Sequence, residues 1–105
     1  LPNYRETHNN VSLLVRLHGS SVPESIHHAN LERMINKALG LPSGCRKQLP
    51  SAIRSAVAVA ERIAGVAYER ALSAGEDHKA AYQQAKAGVL RYAQTVRPIL
   101  PCLEC

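Results

Sequence analysis

At 105 residues the chain is long enough for one domain with a modest core, and we take residues 1–105 as that domain. Apolar residues make up 46%, but Phe and Trp are absent and much of the remainder is alanine, so the expected core is thin and close-packed. Lys and Arg outnumber Asp and Glu by 13 to 8, and the net charge of +5 suits an acidic protein, a nucleic acid or an anionic membrane surface. No apolar run reaches the roughly 18 residues of a transmembrane helix, which argues against a membrane-spanning protein.

The first twenty residues predict little regular structure. Residues 1–10 are polar and aperiodic, which is typical of an N-terminal arm that is ordered only when something holds it. Residues 11–19 favour a short helix closed by Gly19, although their β-branched content is also compatible with a strand. The chain starts at Leu1 and has no basic-then-apolar leader, which suggests a processed precursor or a shortened chain.

The next helix is predicted from a capping box, in which Ser21 and Glu24 cap each other's backbone and Pro23 lies just inside the helix start. Its apolar residues recur at spacings of three and four, namely Leu31, Ile35, Ala38 and Leu39. Gly40 and a proline after it supply the stop, and a loop follows over residues 41–49.

Two longer amphipathic segments predict a helical hairpin in the C-terminal half. One opens with Pro50-Ser51 and closes at Gly75, and the other opens with Glu76-Asp77 and closes at Pro98. The seam of the first segment follows a heptad pattern through Ile53, Val57, Ala60, Ala64, Ala67 and Ala71. The seam of the second contains Tyr82, Ala85, Val89, Tyr92 and Val96.

These elements together predict an all-α protein, a small three- to four-helix bundle with an Ala-rich antiparallel helical hairpin in its C-terminal half. Gly65 lies in the middle of the third segment, where a glycine costs about 1 kcal/mol relative to alanine, so we expect a close helix contact there. Residues 98–105 form a Pro/Cys tail, because their two prolines cannot continue the helix.

Three cysteines flank the predicted hairpin. Cys45 precedes its first helix, whereas Cys102 and Cys105 follow its second, and an antiparallel arrangement brings those two ends together. A disulfide from Cys45 to Cys102 or Cys105 would stabilise the fold by about 2–4 kcal/mol. Three free thiols, a redox pair of Cys102 and Cys105, and a zinc site with a fourth ligand remain alternatives, because a single C-x-x-C motif is not specific.

Four histidines are expected at the end of the bundle opposite the cysteines, namely His18, His27, His28 and His78. Their separation from the cysteines argues against a mixed Cys/His site. His27 and His78 could face each other, but solvated histidines are the usual occupants of helix ends. We therefore predict no metal site and no cofactor.

Basic residues collect at the cysteine end. Arg46 and Lys47 lie in the loop, Arg54 lies one turn into the third helix and Arg97 lies at the end of the fourth. They could form a docking patch for an acidic partner or for phosphates. Arg97 also has a local explanation, since a cation near a helix C-terminus stabilises that helix.

Part of the sequence resembles the small bacterial ChaB-like proteins. The resemblance rests on Leu49-Pro50 before a long Ala-rich helix, on Ala67-Tyr68, and on the helix that contains Ala81 and Ala85. It covers less than half of the chain. The tryptophan and the Asn-containing core motif of that family are missing from the sequence, so the resemblance implies no activity or site residue here.

The sequence contains no Gly-rich phosphate loop, no H-E-x-x-H motif and no Ser or Cys with an obvious His partner, so we predict that the protein is not an enzyme. We expect a helical protein–protein interaction protein, such as an accessory or structural subunit of a larger assembly, or a homo-oligomer. A nucleic-acid-binding module that uses the basic end, and a small thiol redox or metal-binding protein, are the alternatives. A processed N-terminus and a disulfide would favour an organelle or a secreted location over the cytosol.

Overall fold

The computed structural model describes residues 2–20, 22–41 and 50–100. Its elements are α1 (Pro2–His18), α2 (Glu24–Leu39), α3 (Ser51–Ala74), α4 (His78–Val96) and a 3₁₀ turn at Arg97–Ile99. The described residues contain no strand, and the predicted all-α bundle is confirmed. None of the described helices combines the length and the apolar character needed to span a bilayer.

The N-terminal segment is a helix and not the arm expected over residues 1–10. α1 begins at Pro2, and its residues Thr7 and His8 are only 1% and 9% exposed. Thr7 forms a hydrogen bond with α3, and His8 forms one with α2. These bonds offset the free-energy cost of burying polar side chains. The arm was predicted because these buried positions are polar, so the hydrophobic periodicity of a helix is missing there. The predicted C-terminal end of this helix is confirmed, since α1 ends at His18 and Gly19 follows it with a φ of 76°.

α2 starts differently from the prediction and ends as predicted. Pro23 precedes the helix instead of lying in its first turn, and Ser21 of the expected capping box lies outside the described residues. Glu24 contacts α1, with its Oε2 atom 3.5 Å from Nη2 of Arg16. Gly40 closes the helix in the left-handed conformation, with a φ of 72°.

α3 and α4 form the predicted antiparallel hairpin, joined by three residues. The six residues of the predicted α3 seam are all buried: Ile53, Val57, Ala60, Ala64, Ala67 and Ala71. On α4, Ala85 and Val89 are fully buried, and Tyr82, Tyr92 and Val96 are half-buried at the edge of the core. The connection is capped on both sides, because Gly75 takes a left-handed φ of 72° and the Asp77 carboxylate accepts a hydrogen bond from the Ala80 amide at 2.9 Å.

Two glycines mark where the helices approach most closely. A Cβ atom on Gly88 of α4 would lie 2.8 Å from Cγ2 of Ile63 on α3. A Cβ atom on Gly65 would lie 2.6 Å from Oγ1 of Thr7, so the predicted close contact exists, but the partner helix is α1. α3 is therefore the central helix, with α4 packed on one side and α1 on another.

Candidate functional site

A row of polar side chains joins α1 to α2, and we call this row the polar ladder. Its members are His8, Ser12 and Arg16 on α1 and Glu24, His28 and Glu32 on α2. Within each helix these residues are four positions apart, which places them on one face. The two helices run antiparallel, so the pairs across the interface are His8 with Glu32, Ser12 with His28, and Arg16 with Glu24.

His8 lies at the buried end of the polar ladder. Its Nε2 atom is 2.8 Å from Oε2 of Glu32, and its Nδ1 atom contacts Nδ1 of His28. The two imidazole rings stack, with centroids 4.7 Å apart and planes inclined by 26°. Burial lowers the pKa of His28, and the nearby His8 lowers it further, so His28 is mostly neutral at pH 7.

Glu61 of α3 lies beside this buried end. The residue has 0% exposure, and its backbone carbonyl accepts a hydrogen bond from the Thr7 hydroxyl at 2.7 Å, which fixes α1 against α3. His8, Glu32 and Glu61 each place one atom that could ligate a metal within 4.8 Å of the other two. Three different helices thus bring an imidazole and two carboxylates to one place.

The opposite end of the polar ladder is open to solvent. The nearby Ser12 hydroxyl lowers the pKa of the Glu24 carboxyl most, and the charges of Arg16 and His28 act in the same direction, while desolvation opposes them. Glu24 is therefore ionised at pH 7 and attracts the Arg16 guanidinium. This end holds α1 and α2 together through charge, whereas the His8 end lies against α3.

Three of the four histidines predicted for one end of the bundle lie together there, whereas the position of the cysteines relative to them lies outside the described residues. The rings of His27 and His78 meet edge to face, with centroids 4.5 Å apart, and His18 lines the same surface cavity as His78. His27 also lies 2.6 Å from the Ser20 hydroxyl. Burial lowers the pKa of His27, and the neighbouring His78 adds to that effect. The fourth predicted member, His28, belongs to the polar ladder instead, where it contacts His8 and Ser12.

A groove between α2 and α4 is lined by basic side chains, and we call it the basic groove. It has a volume of about 420 Å³. Its cations are Arg33, Lys37, Lys86 and Arg97, and its other lining residues are Asn30, Met34, Ala38, Tyr82 and Leu90. Among the described residues, no carboxylate lines the groove and none of the four cations forms an ion pair.

Of the four residues of the predicted basic patch, the structure describes two, Arg54 and Arg97. Arg97 belongs to the basic groove, and its guanidinium lies 3.0 Å from the point where a Cβ atom on Gly40 would be. Arg54 is exposed on α3 and does not line the groove. The remaining predicted site residues lie outside the described residues, so the patch and the disulfide stay predictions: Cys45, Arg46, Lys47, Cys102 and Cys105.

Neither the polar ladder nor the basic groove was predicted as a site from the sequence. A sequence pattern could have indicated the polar ladder. Its polar residues recur every four positions in each helix, first as His8, Ser12 and Arg16 and then as Glu24, His28 and Glu32. The groove has a weaker sequence signal, since its cations come from α2, from α4 and from the 3₁₀ turn after α4, and α3 lies between α2 and α4 in the sequence. Only the fold shows that these cations face each other.

No known protein family, characterised protein or solved structure matches this chain. The partial ChaB-like resemblance in the sequence therefore supports no conclusion about function. The function has to be inferred from the chemistry of the polar ladder and the basic groove.

Proposed function

We propose that the protein is a non-enzymatic helical interaction protein that binds an acidic partner protein in the basic groove, as an accessory or structural subunit of a larger assembly. This proposal rests on the combination, in one groove, of apolar lining residues and four cations that have no carboxylate partner among the residues that the structure describes. Cations left without local partners favour an anionic ligand, and an apolar floor favours a ligand that also has apolar side chains.

An amphipathic acidic helix has the chemistry that suits this groove. Met34 and Ala38 of α2 and the partly exposed Leu90 of α4 offer apolar contacts. The basic side chains around them can pair with Asp and Glu of a bound helix. Grooves between two helices commonly bind a third helix in this way, and complementary charge then sets the orientation and raises the association rate.

A nucleic acid is the second candidate, because phosphates would also interact with the four cations. Tyr82 is the one aromatic side chain among the described residues that line the groove, and it is half-buried, so stacking of successive bases has little support. A thiol redox or metal-binding role through Cys102 and Cys105 remains a prediction from the sequence. These considerations favour the acidic protein partner.

The proposal can be tested with a display library of amphipathic helical peptides that vary in acidic content. We expect the wild-type protein to select peptides that combine Asp and Glu with Leu, and a Lys37→Glu/Lys86→Glu variant to lose them. The matched control is Arg70→Glu/Lys79→Glu, which makes the same change in net charge at exposed positions outside the groove. Fluorescence anisotropy of the selected peptides measures the loss.

The same anisotropy assay separates the two candidate partners. Single- and double-stranded oligonucleotides are titrated at about 50 and about 200 mM salt. Oligonucleotide binding that Lys37→Glu/Lys86→Glu abolishes and the control retains, without selection of acidic peptides, would replace the proposal with a nucleic-acid-binding function. Equal loss of peptide binding in both variants would show that net charge matters and the groove does not.

A further inference from the structure

We propose that His8, Glu32 and Glu61 bind one first-row divalent metal ion, for which Zn²⁺ is the reference, at the point where α1, α2 and α3 meet. The ligands would be Nε2 of His8 and one carboxylate oxygen from each glutamate. This proposal is independent of the basic groove, which lies between α2 and α4.

The spacing of the three donor atoms fits a shared ion. Zn²⁺ binds imidazole nitrogen and carboxylate oxygen at about 2.0–2.2 Å, so two ligands of one ion are about 3–4 Å apart. Nε2 of His8 is 2.8 Å from Oε2 of Glu32, and the three donor atoms lie within 4.8 Å of one another. Side-chain rotations that move the donors by less than about 1 Å would therefore close the site around the ion.

The donor chemistry and the charge also fit. Imidazole together with carboxylate is a common ligand set for divalent first-row metals. Metal ligands bind in their deprotonated form, and one imidazole with two carboxylates then carries a charge of −2, which a divalent ion balances. Glu61 has no contact with solvent, so an ion held there would be shielded from water on the α3 side.

The surroundings of His8 are suited to a metal ligand. A ligating histidine normally uses its second nitrogen in a hydrogen bond that fixes the ring and its tautomer. Nδ1 of His8 contacts Nδ1 of His28, and Nε2 of His28 is 3.0 Å from the Ser12 hydroxyl. An ion on Nε2 of His8 would displace the hydrogen shared with Glu32. The proton between the two Nδ1 atoms would then lie on His8, and His28 would carry its proton on Nε2, toward Ser12, so that each ring keeps one proton. The polar ladder then acts as the outer support of the metal site.

The alternative is that the same three side chains form a purely structural polar cluster that has no affinity for a metal. Isothermal titration with Zn²⁺ alone separates the two, and Mn²⁺ is the second probe because it also accepts carboxylate-rich sites. The full chain is used with Cys45, Cys102 and Cys105 changed to Ser, because thiolates would compete for zinc. Glu32→Gln and Glu61→Gln remove one donor charge each while keeping the shape of the side chain.

Two matched variants control for binding elsewhere on the surface. Glu69→Gln removes an exposed carboxylate from α3, and His78→Gln removes one ring of the other histidine group. We expect one ion per chain in the cysteine-free protein and in both controls. We expect at least about a tenfold loss of affinity in Glu32→Gln and in Glu61→Gln, since even changes in the outer shell of a metal site cost that much.

A spectroscopic measurement identifies the ligating nitrogen. In ¹⁵N NMR spectra of the histidine rings, Zn²⁺ should change the Nε2 signal of His8 to that of a metal-bound nitrogen and leave a proton on Nδ1. Zn²⁺ should also raise the melting temperature of the cysteine-free protein, because only the folded chain presents the site. If Glu61→Gln fails to fold by circular dichroism, the partly exposed Glu32→Gln carries the comparison.

Either of two results would overturn the proposal. The first is that neither Zn²⁺ nor Mn²⁺ binds to the cysteine-free protein. The second is that both glutamine variants that fold bind the ion as tightly as Glu69→Gln does, with no change at His8 in the NMR spectra. Neither result bears on the basic groove, so the two proposals fail or hold separately.

Discussion

The α3–α4 hairpin and the α1–α2 pair bring helices together by different physical means. In the hairpin, alanine and glycine face the partner helix, and Gly88 lies so near Ile63 that a methyl group would not fit. Between α1 and α2, imidazole, hydroxyl and carboxylate groups form hydrogen bonds across the interface. The hairpin therefore depends on side-chain volume, whereas the α1–α2 pair depends on charge and on hydrogen-bonding partners.

α3 takes part in both kinds of packing. Its Ile63 lies against Gly88 of α4, whereas its buried Glu61 lies near His8 and Glu32, which belong to α1 and α2. A change of volume on α4 and a change of polarity on α1 should therefore have different effects on the same central helix. Changes at Ala85 and Gly65 test that difference, and a third, smaller effect is expected at the His27–His78 contact between α2 and α4.

Enlarging a seam residue should disturb the hairpin most. Ala85 is fully buried on α4, so Ala85→Leu adds three carbon atoms where there is no space, and we expect a loss of about 1–3 kcal/mol in the free energy of unfolding. Ala87 is exposed on the same helix, and Ala87→Leu should change stability by less than about 0.5 kcal/mol. Urea unfolding followed by circular dichroism measures both. Equal effects at the two positions would contradict packing by volume.

Gly65 tests the contact between α3 and α1. Gly65→Ala gains about 1 kcal/mol of helix propensity, but its methyl group would meet Oγ1 of Thr7, and overpacking of this kind costs about 1–3 kcal/mol. We expect a net loss of about 1 kcal/mol. In a Thr7→Ala background the obstructing hydroxyl is gone, so Gly65→Ala should become neutral or stabilising there. A double-mutant cycle measures this coupling, and additive effects would show that Thr7 is not the obstacle.

The pair of His27 and His78 predicts the smallest effect, a loss of stability in mild acid. The fold lowers the pKa of His27 through burial, through His78 and through His28, while Glu24 opposes the shift. The unfolded chain therefore binds protons more readily, so this stability is present above about pH 6.5 and is lost as the pH falls below it. The loss should be less than about 1 kcal/mol, because the ring is only partly buried.

Thermal melts at about pH 7.5, 6.5 and 5.5 measure this dependence. His78→Gln should reduce it, because the second ring no longer repels a proton on His27. His18→Gln is the matched control, since His18 does not contribute to the shift of His27. A pH dependence that is the same in wild type and His78→Gln would show that the contact between the two rings has no energetic effect.

The hairpin could be predicted in detail from the sequence, because the residues that define its helices and their ends lie close together in the chain. Apolar residues at heptad spacing place Ile53 and Val57 on one face of a helix, and that face is buried. Pro50, Gly75 and Asp77 mark helix ends through backbone geometry and capping, which need no tertiary contact. The cost of a glycine in the middle of a helix also predicted a close helix contact at Gly65. It could not predict that the helix in contact is α1.

The first half of α1 could not be predicted in this way. Thr7 and His8 are buried because groups on α2 and α3 accept or share their hydrogens, and those partners are distant in sequence. A pattern of apolar residues cannot reveal a helix whose buried face is polar. The same reason kept Glu61 out of the predicted sites, since an isolated glutamate in an Ala-rich helix is most often exposed.

The hydrogen bond between Thr7 and the Glu61 carbonyl also bears on the order in which the chain folds. It joins residues 54 positions apart, whereas three residues connect the two helices of the hairpin. Closing the long loop costs more entropy than closing the short one, so we expect the hairpin to form early and α1 to dock onto it late. During synthesis α1 leaves the ribosome first, yet the surface that accepts it does not exist until α3 has followed. We therefore expect α1 to stay undocked until α3 has been synthesised.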